Sequence, residues 1–205
     1  SINSYSILLV NYGRIITYIM RPVILPILHA FVRQLHRFSN QTALSNIILL
    51  DASIPPVGNM RSPEKQWPDF TLPYAKRFDL NKNFSDLSNP LPHTMPSAEH
   101  FQQQARALGV MTDSQIVVYD DQGLFSAARA WYMFRAMGHE NVAVLDGGLP
   151  AWLASGYRVS SATSSVTSRG NFIATFCKKY FYSSQNIERN LNSQEHLIVD
   201  ARAKE

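Results

Sequence analysis

The side chains of this 205-residue protein that could do covalent or charge-based chemistry are few. Cys177 is the single cysteine, so there is no internal disulfide and no cysteine-based metal cluster; the thiol is either a nucleophile or incidental. Lys178 and Lys179 follow it and would favour its thiolate. Against that, Phe172-Ile173-Ala174-Thr175-Phe176 before it does not read as a strand end leading into a helix, and no glycine-rich cradle follows. Asp120 and Asp121 stand directly behind the apolar run Ile116-Val117-Val118-Tyr119. A carboxylate at such a corner can cap or hydrogen-bond the N–H groups of the loop that follows. Arg129 and Arg135 fall in a segment that is otherwise apolar nearly all round, where an arginine must reach a carboxylate or the surface, so salt bridging is expected of both.

The elements that position these groups can be read from periodicity. Ile47-Ile48-Leu49-Leu50, Ile116–Tyr119 and Val142-Ala143-Val144-Leu145 are short, β-branched, uninterrupted runs, as strands buried on both faces are. They end at Asp51, Asp120 and Asp146. Between 55 and 96 eight prolines predict loop, broken by a short strand near Lys76–Leu80. Ser97 predicts a helix start, with Glu99 in its first turn and Ala98, Phe101, Ala105 and Leu108 on one face until Gly109. Ser126 to Met137 predicts a sandwiched helix ending at Gly138. After Asp146-Gly147-Gly148 a short helix is expected with Pro150 at its first position and Trp152 on its buried side. Strands alternating with helices through short connections predict a parallel sheet covered on both faces, an α/β domain over 46–159. Residues 160–170 hold five serines and two threonines, a linker composition, followed by a polar helix near Ser183–Leu191 and a strand Leu197-Ile198-Val199. Leu49-Leu50-Asp51-Ala52-Ser53 and Ile198-Val199-Asp200-Ala201-Arg202 repeat one phrase 149 residues apart, the expected opening of a second unit at 195–205, with 160–194 as linker and connecting helix.

Hydrophobic residues make up 45% of the chain and charged ones 17%, which excludes a disordered or fibrous protein. The net charge of +4 belongs entirely to the first 50 residues, with Arg14, Arg21, Arg33, Arg37 and no acid; the remainder balances at 15 basic and 15 acidic side chains. Nothing in the body reads as a phosphate-tracking surface, so nucleic acid is not an expected partner. Arg14, Arg21, Pro22 and Pro26 interrupt the apolar stretch 5–32 before it reaches a spanning length of about 18 residues, so membrane insertion is not expected. Residues 1–45 read as an extension, a transit peptide or a membrane-surface segment, and 1–40 are set outside the fold.

Six phrases in register resemble the first half of the two-domain rhodanese and 3-mercaptopyruvate sulfurtransferase family: Leu50-Asp51-Ala52-Ser53, Arg77-Phe78-Asp79, Pro90-Leu91-Pro92-His93-Thr94-Met95-Pro96, Val117-Val118-Tyr119-Asp120, Gly123-Leu124-Phe125-Ser126-Ala127-Ala128-Arg129-Ala130-Trp131, and Val144-Leu145-Asp146-Gly147-Gly148 with Ala151-Trp152. The resemblance runs from about residue 46 to 205. It implies a tandem of rhodanese folds, each a five-stranded parallel sheet between helices, moving sulfur from thiosulfate or 3-mercaptopyruvate to cyanide or a thiol, without cofactor or metal. The sulfur rides on a cysteine persulfide in the second domain, of which this chain holds only the start. At the equivalent corner here stands Asp120, which cannot carry a persulfide and whose charge opposes anions, so this fragment is expected to be the non-catalytic half. His93 matches a histidine that reaches toward the other domain's active loop and has been proposed to relay protons. The aspartate expected to orient it is replaced by Asn81, so its role divides between chemistry and structural hydrogen bonding within its own loop. Arg202 belongs to the repeated phrase and could serve the active site across the domain seam or pack there. Thr71 and Tyr74 replace a histidine and a glycine of the family pattern, so a different turn is expected, since Tyr takes a left-handed conformation less readily than Gly. Expected partners are the sulfur donor, a thiol or cyanide acceptor and the protein's own second rhodanese domain; a stand-alone rhodanese interaction module is the alternative. The expected location is cytoplasmic, or the mitochondrial matrix if residues 1–45 are a transit peptide.

Overall fold

The computed structural model describes residues 7–11, 14–18, 46–54, 70–91, 93–161 and 168–199. In chain order the strands are β1 (Ile7–Asn11), β2 (Arg14–Tyr18), β3 (Ile47–Asp51), β4 (Phe70–Thr71), β5 (Lys76–Arg77), β6 (Gln115–Tyr119), β7 (Val142–Val144), β8 (Ser160–Ser161), β9 (Phe181–Tyr182) and β10 (Ile198–Val199). The helices are α1 (Ala98–Ala107), α2 (Ala127–Ala136), α3 (Gly148–Ala154) and α4 (Ser184–Ser193).

The central sheet is all parallel in the order β5-β3-β6-β7, with Leu49 opposite Val117 and Val118 opposite Val144. Side chains alternate along each strand, so each strand feeds two layers. Ile48, Leu50, Ile116 and Val118 join Phe78, Phe84, Phe101, Met133 and Phe134 beneath α1 and α2. Leu49 and Tyr119 face the other way, into Leu72, Leu145, Leu149 and Trp152 beneath α3. That double burial is why the strands read as unbroken apolar runs. Four strands pair here among the described residues, against the five that the resemblance implied; Phe70–Thr71 and Ser160–Ser161 pair with each other as a separate antiparallel ribbon.

Local chemistry explains the element ends. The Ser97 hydroxyl accepts from the His100 N–H at 3.2 Å and starts α1. Pro150 is the third residue of α3 rather than the first, because Gly147 (φ 69) and Gly148 (φ 52) already turn the chain into the helix. Proline costs nothing there, since first-turn N–H groups lack intrahelical partners. A Cβ on Gly148 would lie 2.4 Å from the Asp120 carbonyl oxygen, so only glycine lets α3 approach the end of β6. Tyr74 takes the left-handed conformation that tyrosine adopts less readily than glycine: φ is 64, with Pro73 before it and the Ala75 N–H bonded to the Leu72 carbonyl at 3.1 Å. Proline presets that turn, and a ring 80% exposed meets no packing objection, leaving a strain of about 1 kcal/mol.

Two segments set aside by composition are structured. Residues 168–177 form a strap across the domain. The N–H groups of Gly170, Phe172, Thr175 and Cys177 donate to the carbonyls of Arg106, Val110, Met137 and Ala136, and Phe172 (2% exposed) enters the main core. In the amino-terminal stretch, β1 and β2 form an antiparallel hairpin in a second sheet of order β10-β1-β2-β9, in which β1 runs parallel to β10. Their Ile, Leu, Val and Tyr content suits strand pairing. No helix among the described residues is long and apolar enough to cross a membrane.

Candidate functional site

Three groups of side chains gather where the parallel strands end. The first is the β6 corner. Asp120 is fully buried, and its carboxylate is enclosed by the loop that follows. One oxygen accepts the Gln122 N–H at 2.9 Å; the other accepts those of Phe125, Ser126 and Ala127 at 2.7, 2.8 and 2.9 Å. The last three belong to the start of α2, where N–H groups lack intrahelical partners and the helix dipole favours an anion. Ser126 occupies the N-cap position, yet its hydroxyl makes no cap bond and is buried without a hydrogen-bond partner among the described residues. Asp120, six positions upstream, does the work of the cap instead. The Asp120 carbonyl in turn accepts from Leu149 N–H at 2.9 Å, tying the start of α3 to the same corner.

The second group surrounds the end of β3. Asp51 is buried, 3.1 Å from Arg77 across the sheet, and accepts from the N–H and hydroxyl of Ser53 at 2.9 and 2.5 Å. Arg77 also donates to the Ser53 carbonyl. Burial raises the Asp51 carboxyl above the ordinary carboxylate range, opposed by Arg77 and Ser53. Burial likewise lowers Arg77 to about 10, although Asp51 and Asp79 favour its charge. Desolvation therefore outweighs attraction on both sides, as for buried ion pairs generally.

The third group is the proline-flanked loop. His93 holds a left-handed backbone, φ 56, and its Nδ1 lies 3.5 Å from the Leu80 carbonyl. Arg129, in the first turn of α2, donates to the His93 carbonyl. Burial, then the Arg129 charge, lowers the His93 pKa below its usual value, with the Leu80 carbonyl opposing. Asn81 brings no side chain to His93; its N–H, with that of Lys82, is held by Asp79 at 2.9 and 3.0 Å.

The structure thus brings Arg129 to His93 and Asp120 to its loop, and leaves Cys177 elsewhere. Cys177 is half-buried in the strap, its thiol 3.6 Å from the Thr175 carbonyl. Arg202 lies outside the described residues. Of the α2 arginines expected to form salt bridges, Arg135 does so with Glu140, and both also reach main-chain carbonyls. Arg135 is 3.9 Å from the exposed Glu140 carboxylate and donates to the Glu140 carbonyl at 3.0 Å, and Arg129 reaches a main-chain carbonyl. The Arg77–Asp51–Ser53 network was not foreseen; its signal is two opposite charges at the ends of runs that pair as neighbouring strands. No group of three or more His, Cys, Asp or Glu among the described residues could hold a metal ion.

The comparisons with known proteins agree with this architecture. The Rhodanese-like domain model matches residues 39–155. The chain is 39% identical to the 3-mercaptopyruvate sulfurtransferase of Rattus norvegicus over 76% of its length and 52% of that protein. It is 47% identical to the mitochondrial thiosulfate/3-mercaptopyruvate sulfurtransferase 1 of Arabidopsis thaliana, over 76% of this chain and 46% of that one. The crystal structure of SseA from Escherichia coli, a 3-mercaptopyruvate sulfotransferase of rhodanese fold, superposes with a TM-score of 0.73 at 29% identity, covering 86% of this chain and 64% of SseA. The chain spans about half the length of the curated relatives it matches. On the domain match, the sequence relatives and the shared fold together, the chain belongs to the rhodanese and 3-mercaptopyruvate sulfurtransferase family.

Proposed function

We propose that this chain is the non-catalytic half of a sulfurtransferase. It would present the face against which a cysteine in a second rhodanese domain accepts sulfur from thiosulfate or 3-mercaptopyruvate and passes it to cyanide or a thiol. The observation that carries this reading is the Asp120 loop. Its outer carboxylate oxygen is as many bonds from Cα as the outer sulfur of a cysteine persulfide, and it takes the backbone N–H groups that would stabilise thiolate, persulfide or anionic donor. A fixed negative charge in that seat repels a second anion and offers no nucleophilic sulfur. His93 and Arg202 are the side chains through which this half would contribute to the active site. A cytoplasmic location goes with this reading, the mitochondrial matrix being the alternative if residues 1–45 are a transit peptide.

A second reading, a rhodanese module that only binds a partner, is favoured by Leu124 and Phe125. They stand 59% and 47% exposed on the loop that encloses Asp120. One experiment separates the two. The purified chain is assayed for thiocyanate formation from thiosulfate and cyanide, alone and with a separately produced cysteine-bearing rhodanese half. The catalytic-partner reading expects no turnover alone and a rise in the added half's turnover on mixing. Binding without any change in turnover supports the module instead. Turnover by the chain alone that disappears in Cys177→Ser overturns both.

A further inference from the structure

His93 is held by its main chain and its ring at once. At φ 56 it occupies a conformation that costs a non-glycine residue about 1 kcal/mol, so something must hold it there. The contact that does so comes from α2, where the Arg129 guanidinium donates to the His93 carbonyl. The ring is oriented separately: Nδ1 faces the Leu80 carbonyl at 3.5 Å, and Nε2 has no hydrogen-bond partner among the described residues. A carbonyl only accepts, so a neutral imidazole in this position carries its proton on Nδ1 and its lone pair on Nε2.

We propose that Arg129 is a positioning residue for His93: by gripping the His93 carbonyl it holds the left-handed turn that sets the imidazole against Leu80 and leaves Nε2 as an open proton acceptor. A main-chain carbonyl thereby takes the place of the aspartate that would orient such a histidine, and Asn81 needs no part in it. Arg129 sits two residues beyond Ala127, whose N–H binds Asp120, so one helical turn fixes both the filled loop and the histidine. The groups acting on the imidazole are its burial, the Arg129 charge from α2 and the Leu80 carbonyl from the loop after β5, and the first two favour its neutral form. The inference rests on the reading in which His93 faces the chemistry of a partner domain.

The test is nitrogen-15 NMR of the histidine rings in the full 205-residue chain, native and with Arg129→Met or Arg129→Lys. The native ring should show the Nδ1–H tautomer and titrate below the usual histidine midpoint. In Arg129→Met the midpoint should rise and the tautomers mix; in Arg129→Lys the charge persists but the fork does not, so the tautomers mix while the midpoint stays low. An unchanged midpoint and tautomer in Arg129→Met overturns the proposal. If Arg129→Met does not fold, a thermodynamic cycle decides. Glycine adopts φ 56 freely, so Arg129→Lys should cost less stability in a His93→Gly background; equal costs overturn the proposal. Neither readout involves sulfur. A locked tautomer with no effect on a partner's turnover would refute the proposed function alone, and a free tautomer would refute the positioning alone.

Discussion

Replacing Asp120 by asparagine keeps the shape of the side chain and removes its charge, and the structure sets what that should cost. With the amide oxygen on the side of Phe125, Ser126 and Ala127, three bonds persist, but to a neutral acceptor. Each weakens by about 0.5–1 kcal/mol, because bonds to a charged group contribute ~1.5–3 kcal/mol and neutral ones ~0.5–1.5. The amide NH2 then meets the Gln122 N–H donor to donor, and that N–H loses its acceptor. Gln122 is exposed, so water offsets part of this and the lower end of the ~1–3 kcal/mol range for an orphaned group applies. Together the losses come to about 3 kcal/mol. Urea unfolding followed by circular dichroism should show a lower midpoint with an unchanged slope. Hydrogen exchange at Phe125, Ser126 and Ala127 should accelerate by roughly a hundredfold. Asp120→Ala, which strands every donor, should be worse. An Asp120→Asn protein within about 0.5 kcal/mol of native, with those amides still protected, would show that the loop is not organised around the charge.

Phe172→Ala should destabilise the domain by about 3–5 kcal/mol, as for any large ring taken from a packed core, and Gly170→Ala should also be costly because its Cβ would fall 1.9 Å from the Val110 carbonyl oxygen. Thermal unfolding of the two variants checks this, and a native-like midpoint for Phe172→Ala would mean the strap is not part of the core. Arg77→Met should cost about 3–5 kcal/mol by leaving Asp51 charged and buried, and Asp51→Asn should restore most of it. Additive losses in the double variant would count against the pairing. His93 and His139 both have pKa values lowered from 6.5, chiefly by burial, so the unfolded chain takes up protons first. Their contribution to stability is complete above pH 6.5 and is lost as pH falls through their lower folded values. Urea midpoints should decline on acidification, less steeply in His139→Gln; a flat profile through pH 6.5 would contradict the burial of both rings.

What the sequence disclosed and what it hid follow one physical division. β3, β6 and β7 are legible because strands covered on both faces must be apolar at every position, and α1 because Ser97 caps it in the usual way. The corner at Asp120 is legible as a place, an acid straight after a buried strand, but the convergence of four N–H groups on it depends on how residues 121–127 curl. Serine and threonine give residues 160–170 a linker composition, whereas the docking of the strap depends on Phe172 finding a site beside Phe101, Phe134 and His139, far away in the chain. Main-chain acceptors have no residue code, which is why the contact of Arg129 with the His93 carbonyl cannot be read from the sequence. Tyr74 shows the converse: a left-handed tyrosine is disfavoured by its side chain, and the preceding proline with an exposed ring keeps that cost small.

The docked strap also governs how whatever follows it behaves. Because residues 170–177 are bolted to α1 and α2, the chain leaves the domain from a fixed point, and only a short stretch separates that point from α4. A body carried on α4 would be confined near this surface at an effective concentration in the millimolar range, as short tethers impose. Contacts far too feeble to hold two free molecules together would then remain engaged most of the time, and cutting the tether would release them without altering a single contact.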